Sequence, residues 1–551
     1  MSQLLKSSGA MGAATLASRV LGLVREMVYA HFMGDTPVAS AFKLAFQIPN
    51  LFRRLLGEGA LSAAFIPIFK DREKNASEAE MWEAANAVLT ALAVAAGAII
   101  LLVVAGVSLA LWMVPARGFE PAMETAGDGG AFWAWIPGWA GVDANTILML
   151  RLLRWMFPYM LLVCVAAVFM GMLNARGFFF LPAMSATMLN VAMIGSVLWL
   201  APHFGSTLET QIFALAVGVL VAGLAQAGFQ YPALHRQGFR LKWIPPWSHP
   251  VVRQVARKMV PGMLGVAAFQ VNVLLINIVG YWVDKTIVAS FDYAVRLMEL
   301  PQGVFGISMA TFLLSTLSGF AAEKKYAEFR SHLIQGLSLL IFVNLIASVL
   351  LTVLSEPILR LLFERGAFDA GSTGRASMAL SFLAPGLVLF SVVNVLARAF
   401  YALGDTRTPM LISVVCLGLN LVFSCWLVNP MRQGGLGLAN TLSAVFNVWL
   451  LVHALKRALP RLDLTPVLEL LKGVVPAAGV AAAIAWLTQA AWGRYLGHDR
   501  LWNRLGEVFV PAVLAGLAYG IVCLWRRVRP AREILDHLWG QSAHQTDSHP
   551  Q

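Results

Sequence analysis

Charge is what this sequence has least of. Only 13% of its 551 residues are Asp, Glu, Lys or Arg, against 58% hydrophobic residues that include 17 Trp and 32 Phe. Soluble domains carry roughly 25% charged residues, and a soluble chain of this length would form roughly three or four domains, each needing a charged surface. There are too few charges to coat them, and a disordered chain is excluded by the same numbers. Four cysteines in so long a chain exclude a disulfide scaffold. Cys164, Cys416, Cys425 and Cys523 lie in apolar stretches without metal-ligand spacing and are read as reduced packing residues. Metalloprotease, serine-hydrolase and Walker-type signatures are also missing. No enzyme, cofactor, metal site or direct ATP hydrolysis is therefore expected. Arg19 and Arg25 interrupt the first apolar segment, so no cleavable signal peptide is expected either.

What is present reads as an all-α polytopic membrane protein. A spanning helix takes about 20 apolar residues, and on that measure the chain holds about fourteen segments. They run 9–31, 36–68, 83–114, 148–173, 180–201, 209–233, 254–282, 286–319, 329–354, 373–402, 408–428, 435–455, 468–490 and 504–525. Pro49 and Pro67 in the second segment and Pro301 in the eighth mark expected breaks or bends.

The net charge of +12 is best explained by topology. With a cytoplasmic amino terminus, alternate connections should be basic, and they are. They carry Lys70, Arg72 and Lys74; Arg176; Arg236, Arg240 and Lys242; Lys324, Lys325 and Arg330; Arg407; Lys456, Arg457 and Arg461; and, in the tail, Arg526, Arg527, Arg529 and Arg532. The connection from about 115 to 147 is acidic by contrast, with Glu120, Glu124, Asp128 and Asp143 against Arg117. Its aromatic run Phe132 to Trp139 suits an interfacial anchor. Both termini are thus expected in the cytoplasm, and no nucleic-acid partner is expected, because no basic domain exists to hold one. A faint repeat supports two related halves. Ala39-Ser40-Ala41-Phe42 returns as Ala289-Ser290-Phe291, and "GALSAAF" from Gly59 returns as "GISMATF" from Gly306. The expected architecture is two six-helix lobes around a central cavity plus two carboxy-terminal helices. By residue, this gives a first lobe at 1–233, a cytoplasmic linker at 234–253, a second lobe at 254–455, the last two helices at 468–525 and a cytoplasmic tail at 526–551.

Ionisable residues inside the spans carry the chemistry, since an arginine at a helix centre costs about 2.5–3.5 kcal/mol. Arg19 and Arg25 lie in the first span, Lys43, Arg53, Arg54 and Glu58 in the second, Arg296 and Glu299 in the eighth, and Arg398 in the tenth. That selection holds seven Lys or Arg against two Glu. An excess of buried cations calls for an anion, and arginine's planar fork suits phosphate or carboxylate.

Several runs resemble one family. "SRVLGLVRE" (Ser18 to Glu26), "FQIPNLFRRLLGEGALSAAFIPIF" (Phe46 to Phe69), "YAVRLMELPQGVFGISMATFLLSTLS" (Tyr293 to Ser318), "FYALGDTRTP" (Phe400 to Pro409) and, more loosely, "LNARGFFFLPAMSATMLN" (Leu173 to Asn190) are similar to the MurJ (MviN) lipid II flippases. That family belongs to the multidrug/oligosaccharidyl-lipid/polysaccharide exporter superfamily. The resemblance implies a flippase in the bacterial cytoplasmic (inner) membrane. Such a flippase carries lipid II, the undecaprenyl-pyrophosphate-linked peptidoglycan precursor, to the periplasmic leaflet for cell-wall synthesis. It also implies contact with membrane lipids and with cell-wall synthesis proteins. By the same resemblance Arg19, Arg25, Arg53 and Arg296, with Ser18 and Glu299 nearby, would hold the pyrophosphate, and Arg54 belongs to the same run. The last two helices would form a groove for the polyprenyl tail. The chain departs from some relatives at Ser40 and Val295, where they carry acids, and at Asn394, where they carry a lysine. Arg398 lies four residues from Asn394 on the same face and is the natural replacement for that charge. Sodium-binding relatives use carboxylates in the seventh and eleventh helices, whereas here the seventh offers Gln270, Asn272 and Asn277 and the eleventh Asn420, so no sodium site is expected.

Two other readings stay open at this stage. A drug or ion antiporter would need a buried carboxylate, for which Glu58 and Glu299 are the candidates. A membrane glycosyltransferase would need an acid near the periplasmic face, such as Asp128, Asp143 or Asp369.

Overall fold

A computed structural model of the chain describes residues 2–55, 60–113, 143–247 and 249–536, with side chains described from residue 17 on, apart from 60–63 and six positions between 261 and 268. Among the described residues there is helix and no strand. A chain this apolar has to satisfy its backbone within each segment, and helices do that. The helices group into two compact units, Met1–Tyr281 and Trp282–Gln551.

The first unit contains α1 (Ser2–Met33), α2 (Pro37–Arg53), α3 (Ala60–Asn75), α4 (Glu78–Met113), α5 (Ala144–Met156), α6 (Tyr159–Ala175), α7 (Phe180–Gly195), α8 (Leu208–Arg236) and nearly all of α9 (Pro250–Val283). Thr36 starts α2 by accepting the Ala39 N–H on its hydroxyl at 3.2 Å, with Pro37 in the first turn. A buried amide joins three helices. Gln230 Nε2 donates to the Ala166 carbonyl, to Ser185 Oγ and to the Gln226 carbonyl at 3.0–3.1 Å, linking α6, α7 and α8. Gly223 lets α8 approach α6 closely, since a Cβ there would lie 2.7 Å from Leu162 Cβ. The segment after α8 is fastened to α4. Asn86 donates to the Arg240 carbonyl at 2.9 Å and accepts the Lys242 N–H at 3.0 Å, while Phe239 packs against Trp82.

The second unit contains α10 (Ile287–Pro301), α11 (Ser308–Ala322), α12 (Tyr326–Val353), α13 (Ser355–Phe363), α14 (Ala370–Leu383), α15 (Gly386–Ala402), α16 (Arg407–Ala458), α17 (Thr465–Tyr495) and α18 (Leu501–Trp525). Its apolar core runs through α11, α12, α15, the end of α16, α17 and α18. Tyr519 of α18 stacks near Phe342 of α12 and donates its hydroxyl to the Phe342 carbonyl at 2.9 Å, giving the buried phenol a partner. Ion pairs fix the opposite end of α18. Arg360 of α13 reaches the buried Glu507 at 2.7 Å and also meets Glu356, and Glu364 lies 3.2 Å from Arg504.

Each expected span falls on a helix or on helices separated by a short break. By length and composition, eight described helices are able to cross a membrane, or up to ten if each bent pair counts once, so these criteria do not establish fourteen. One of the eight, α16, is 52 residues long and turns at Arg432 (φ 48°, ψ −126°), so the eleventh and twelfth expected spans share it. The bend expected at Pro301 is a π-helical turn, Gln302–Ile307, between α10 and α11. In the second span α2 and α3 flank residues 56–59, so Glu58 lies outside the described residues, as does 114–142 with most of the acidic connection. The sequence does not announce α13, which at nine residues is too short to span and instead buries Pro357, Leu359 and Phe363. The seventh span, assigned to the second lobe from sequence, groups with the first unit as α9. Polar bonds to α2 hold it there: Asn277 Nδ2 donates to Gln47 Oε1 at 2.7 Å, and Arg54 reaches Gln270 Oε1 at 3.5 Å.

The run from Phe400 has a local explanation. Gly404 turns the chain at φ 81°, and the Asp405 carboxylate accepts the N–H groups of Arg407 and Thr408, both at 3.0 Å, at the start of α16. Bonds from Thr408, then from Arg407, hold the Asp405 carboxyl below the usual carboxylate range. A lowered folded-state pKa stabilises fully above the unfolded value of about 3.9 and loses that effect as pH falls through the folded value. Asp405→Ala should therefore lower stability at pH 7 by about 1 kcal/mol. In thermal unfolding, that gap should close below about pH 4. Gly437 offers a second test, because a Cβ there would lie 2.7 Å from the Ala379 carbonyl oxygen of α14. Gly437→Ala should cost about 1–3 kcal/mol by forcing α14 and α16 apart, and an unchanged melting temperature would contradict that packing.

Candidate functional site

The residues singled out from sequence divide between the two units, each with its own local partners. In the first, α1 contributes Ser18, Arg19 and Arg25. The Ser18 carbonyl accepts Asn190 Nδ2 of α7 at 3.2 Å, which seats this part of α1, and the Arg19 side chain is exposed. Arg25 donates to Glu26 Oε1 at 2.6 Å and lies 5.5 Å from the Tyr29 ring centre. The other Glu26 oxygen is 3.5 Å from Lys43 Nζ on α2. The side chains of Arg25, Glu26 and Lys43 are 12%, 4% and 9% exposed, so this triad is a buried ionic centre.

Further along α2, past Pro49, two arginines point to different partners. Arg53 Nε donates to Asn50 Oδ1 at 2.7 Å, one turn back, while Arg54 turns to Gln270 of α9. Both are half-buried. Ser40, one turn before Lys43, is fully buried.

In the second unit, Arg296 lies on α10 between two carboxylates on one helix face. Nη1 is 3.0 Å from Glu299 Oε2 and Nη2 is 3.9 Å from Asp292 Oδ1. Arg398 and Asn394 share a face of α15, with the Arg398 guanidinium 5.7 Å from the Tyr401 ring centre. The π-helical turn after α10 brings these helices together, since a Cβ on Gly306 would lie 2.7 Å from Ser391 Oγ. Such turns insert a residue and reset which side chains face a neighbour.

The charge balance differs from the one read in the sequence. Glu26 and Asp292 were missing from that tally. In the first unit, Glu26 lies between Arg25 and Lys43. In the second, Arg296 faces two carboxylates. Asp292 was recoverable from its i,i+4 spacing to Arg296, but Glu26 was not. Adjacent residues on a helix do not share a face, and its second partner lies 17 residues away. Glu299, one of the two carboxylates an ion-exchange reading would need, is 48% exposed and paired with Arg296. Among the described residues, no group of three or more His, Cys, Asp or Glu is arranged to hold a metal ion. Asn420 instead bonds Asn440 at 3.1 Å and Ser424.

Comparison with known proteins gives a consistent result. The family model described as lipid II flippase MurJ matches residues 29–505. A probable lipid II flippase MurJ from Vibrio cholerae serotype O1 is 33% identical over 455 residues, covering 82% of this chain and 83% of that protein. Among solved structures, a lipid II flippase MurJ in an inward closed conformation superposes with a TM-score of 0.73 at 20% identity, covering 94% of this chain and 99% of that one. An inward-facing multidrug resistance MATE family transporter of the MOP superfamily gives 0.60 at 15% identity, over 80% and 95% of the two chains, a likeness of fold.

The buried triad makes its own prediction. Glu26→Gln keeps the shape but removes the charge that both cations face, and should cost on the order of 3 kcal/mol. Lys43→Met added to Glu26→Gln should recover part of that loss in thermal unfolding, because one cation then no longer needs a counter-charge. A double variant as unstable as the sum of the two single changes would refute the triad.

Proposed function

This chain belongs to the lipid II flippase MurJ family, and from that premise we propose how these residues act. It is a lipid II flippase, an integral protein of the inner membrane serving peptidoglycan synthesis. The substrate's anionic part is a pyrophosphate, and the observation that carries the reading is the buried Arg25–Glu26–Lys43 centre. It is a cationic pair already desolvated and held in place, where an arriving phosphate displaces the carboxylate instead of having to order two free side chains. Charge-assisted bidentate bonds from arginine to phosphate are among the strongest available to a side chain.

Arg19, Arg53 and Arg54, close to this centre in sequence, supply further donors, with Ser18 beside them on α1. In the second unit Arg296 is the phosphate donor. Asp292 and Glu299 hold its guanidinium ready and take it back once substrate leaves. Arg398, with Asn394, provides a further positive charge. Transport proceeds by alternating access from the cytoplasmic to the periplasmic leaflet, with both termini in the cytoplasm and the basic connections on that side. Substrate shifts the equilibrium by making different contacts in the two states. The membrane potential, worth about 2.3 kcal/mol per charge per 100 mV, then acts on the unoccupied cationic carrier and resets it. The groups named here bind and release charge, and none is asked to make or break a bond.

Cells depleted of this protein should lose lipid II from the periplasmic face and accumulate it inside, and re-expression should reverse both. Arg25→Ala and Arg296→Ala should each abolish that rescue while the protein still inserts. Arg25→Lys should retain a fraction, since a charge-assisted bond is worth about 1.5–3 kcal/mol and lysine keeps the charge without the fork. Full rescue by Arg25→Ala would remove the pyrophosphate role from that residue.

A further inference from the structure

Two side-chain bonds bracket the stretch where the chain passes from one compact unit to the next. Asn277 Nδ2 donates to Gln47 Oε1 at 2.7 Å and fastens the last turns of α9 to α2, inside the first unit. Seven residues on, Asp284 is fastened inside the second unit. Its Oδ2 accepts Arg432 Nη1 at 2.5 Å, and its Oδ1 accepts the N–H and the hydroxyl of Thr286, both at 2.8 Å.

The Arg432 anchor is stiff. Its φ of 48° with ψ −126° is a conformation that L residues rarely adopt and that persists only where the surroundings impose it. Here they do. A Cβ on Gly435 would lie 2.1 Å from the Leu427 carbonyl oxygen, and one on Gly437 would meet the backbone of α14, so the turn is packed backbone to backbone. Such a turn has little room to follow Asp284 if that residue moves.

Between the two anchors run Ile278, Val279, Gly280, Tyr281, Trp282 and Val283, the last turns of α9, with the boundary between the units after Tyr281. Gly280 weakens this helical stretch, since glycine loses more backbone freedom in a helix interior than any other residue. Large movements between parts of a protein are absorbed by a few residues at the ends of elements. We propose that the Gln47–Asn277 and Asp284–Arg432 bonds stay closed throughout transport and confine the hinge to residues 278–283, with Gly280 the position that yields. This rests on the alternating-access reading. It assigns to Asp284 and Arg432 a role in transport that needs no contact with substrate.

The test uses the full-length protein in cells, with lipid II on the periplasmic face as readout. Cysteines replace Gln47 with Asn277, or Asp284 with Arg432, and each pair is joined by a short reducible thiol-to-thiol linker. Both joined proteins should expose at least as much lipid II as their unjoined forms, which lack the bond that the linker replaces. A third pair, Ile278→Cys with Trp282→Cys, lies one helical turn apart within the hinge and leaves both bonds in place, and joining it should stop transport until the linker is reduced. Loss of transport on joining either of the first two pairs, restored by reduction, would overturn the proposal, because that bond must then open. Undiminished transport with the third pair joined would overturn it as well. A check that does not depend on linkers is charge exchange. Asp284→Arg should lower exposure several-fold, and Asp284→Arg with Arg432→Asp should restore it; equal loss in both would count against the anchor. Failure of the unaltered protein to expose lipid II would instead overturn the transport reading.

Discussion

A guanidinium inside an apolar helix bundle has to be matched by something, and the described intramembrane arginines show how this protein meets that constraint. Arg25 has a carboxylate and a nearby ring, Arg53 and Arg54 have side-chain amides, Arg296 lies between two acids, and Arg398 lies near a tyrosine. Each match is local, polar and exchangeable. Removing one partner of a buried pair is far more damaging than replacing both by apolar groups, so cations of this kind are poor devices for stability alone. They become intelligible when an anionic substrate is one of the partners. The sparse charge of the whole chain and the local pairing of arginines on α1, α2 and α10 are two sides of one requirement.

Much of the fold was legible in the sequence because lipid imposes so few solutions. Apolar length gave the helical segments, and Pro301 located the break that became a π-helical turn. The short polar gap after 428 marked the kink at Arg432 inside what is otherwise one 52-residue helix. Hydropathy could not see α13, which is amphipathic and far too short to cross. Nor does any pattern within α9 announce the two side-chain hydrogen bonds, from Asn277 to Gln47 and from Arg54 to Gln270, that tie it to α2 and the residue after it.

The site was legible by half. Arginines in spans stand out in any reading, so the cations were found. Of their partners, Glu299 is legible from its three-residue spacing to Arg296, but Glu26 is not, because an acid next to an arginine in sequence looks like a pair only once the helix is wound and a lysine from another helix arrives on the far side. Glu26 is the instance that matters, since it meets Arg25 with one oxygen and Lys43 with the other. Motif resemblance pointed to the right family. It is the geometry that explains parts of the motifs, as with Gly404 and Asp405, which serve to turn the chain and begin a helix.

The segment after α8 reads in sequence as a polar tether, but Asn86 clasps its backbone from both sides while Phe239 is wholly buried against Trp82. A tether of that length would let α9 wander and would blunt any push applied to it. A splinted one carries load. The clasp holds residues 239–242 against α4, so an insertion just after α8 would have to pull Phe239 away from Trp82 or free the backbone from Asn86, where in a loose tether it would only add length.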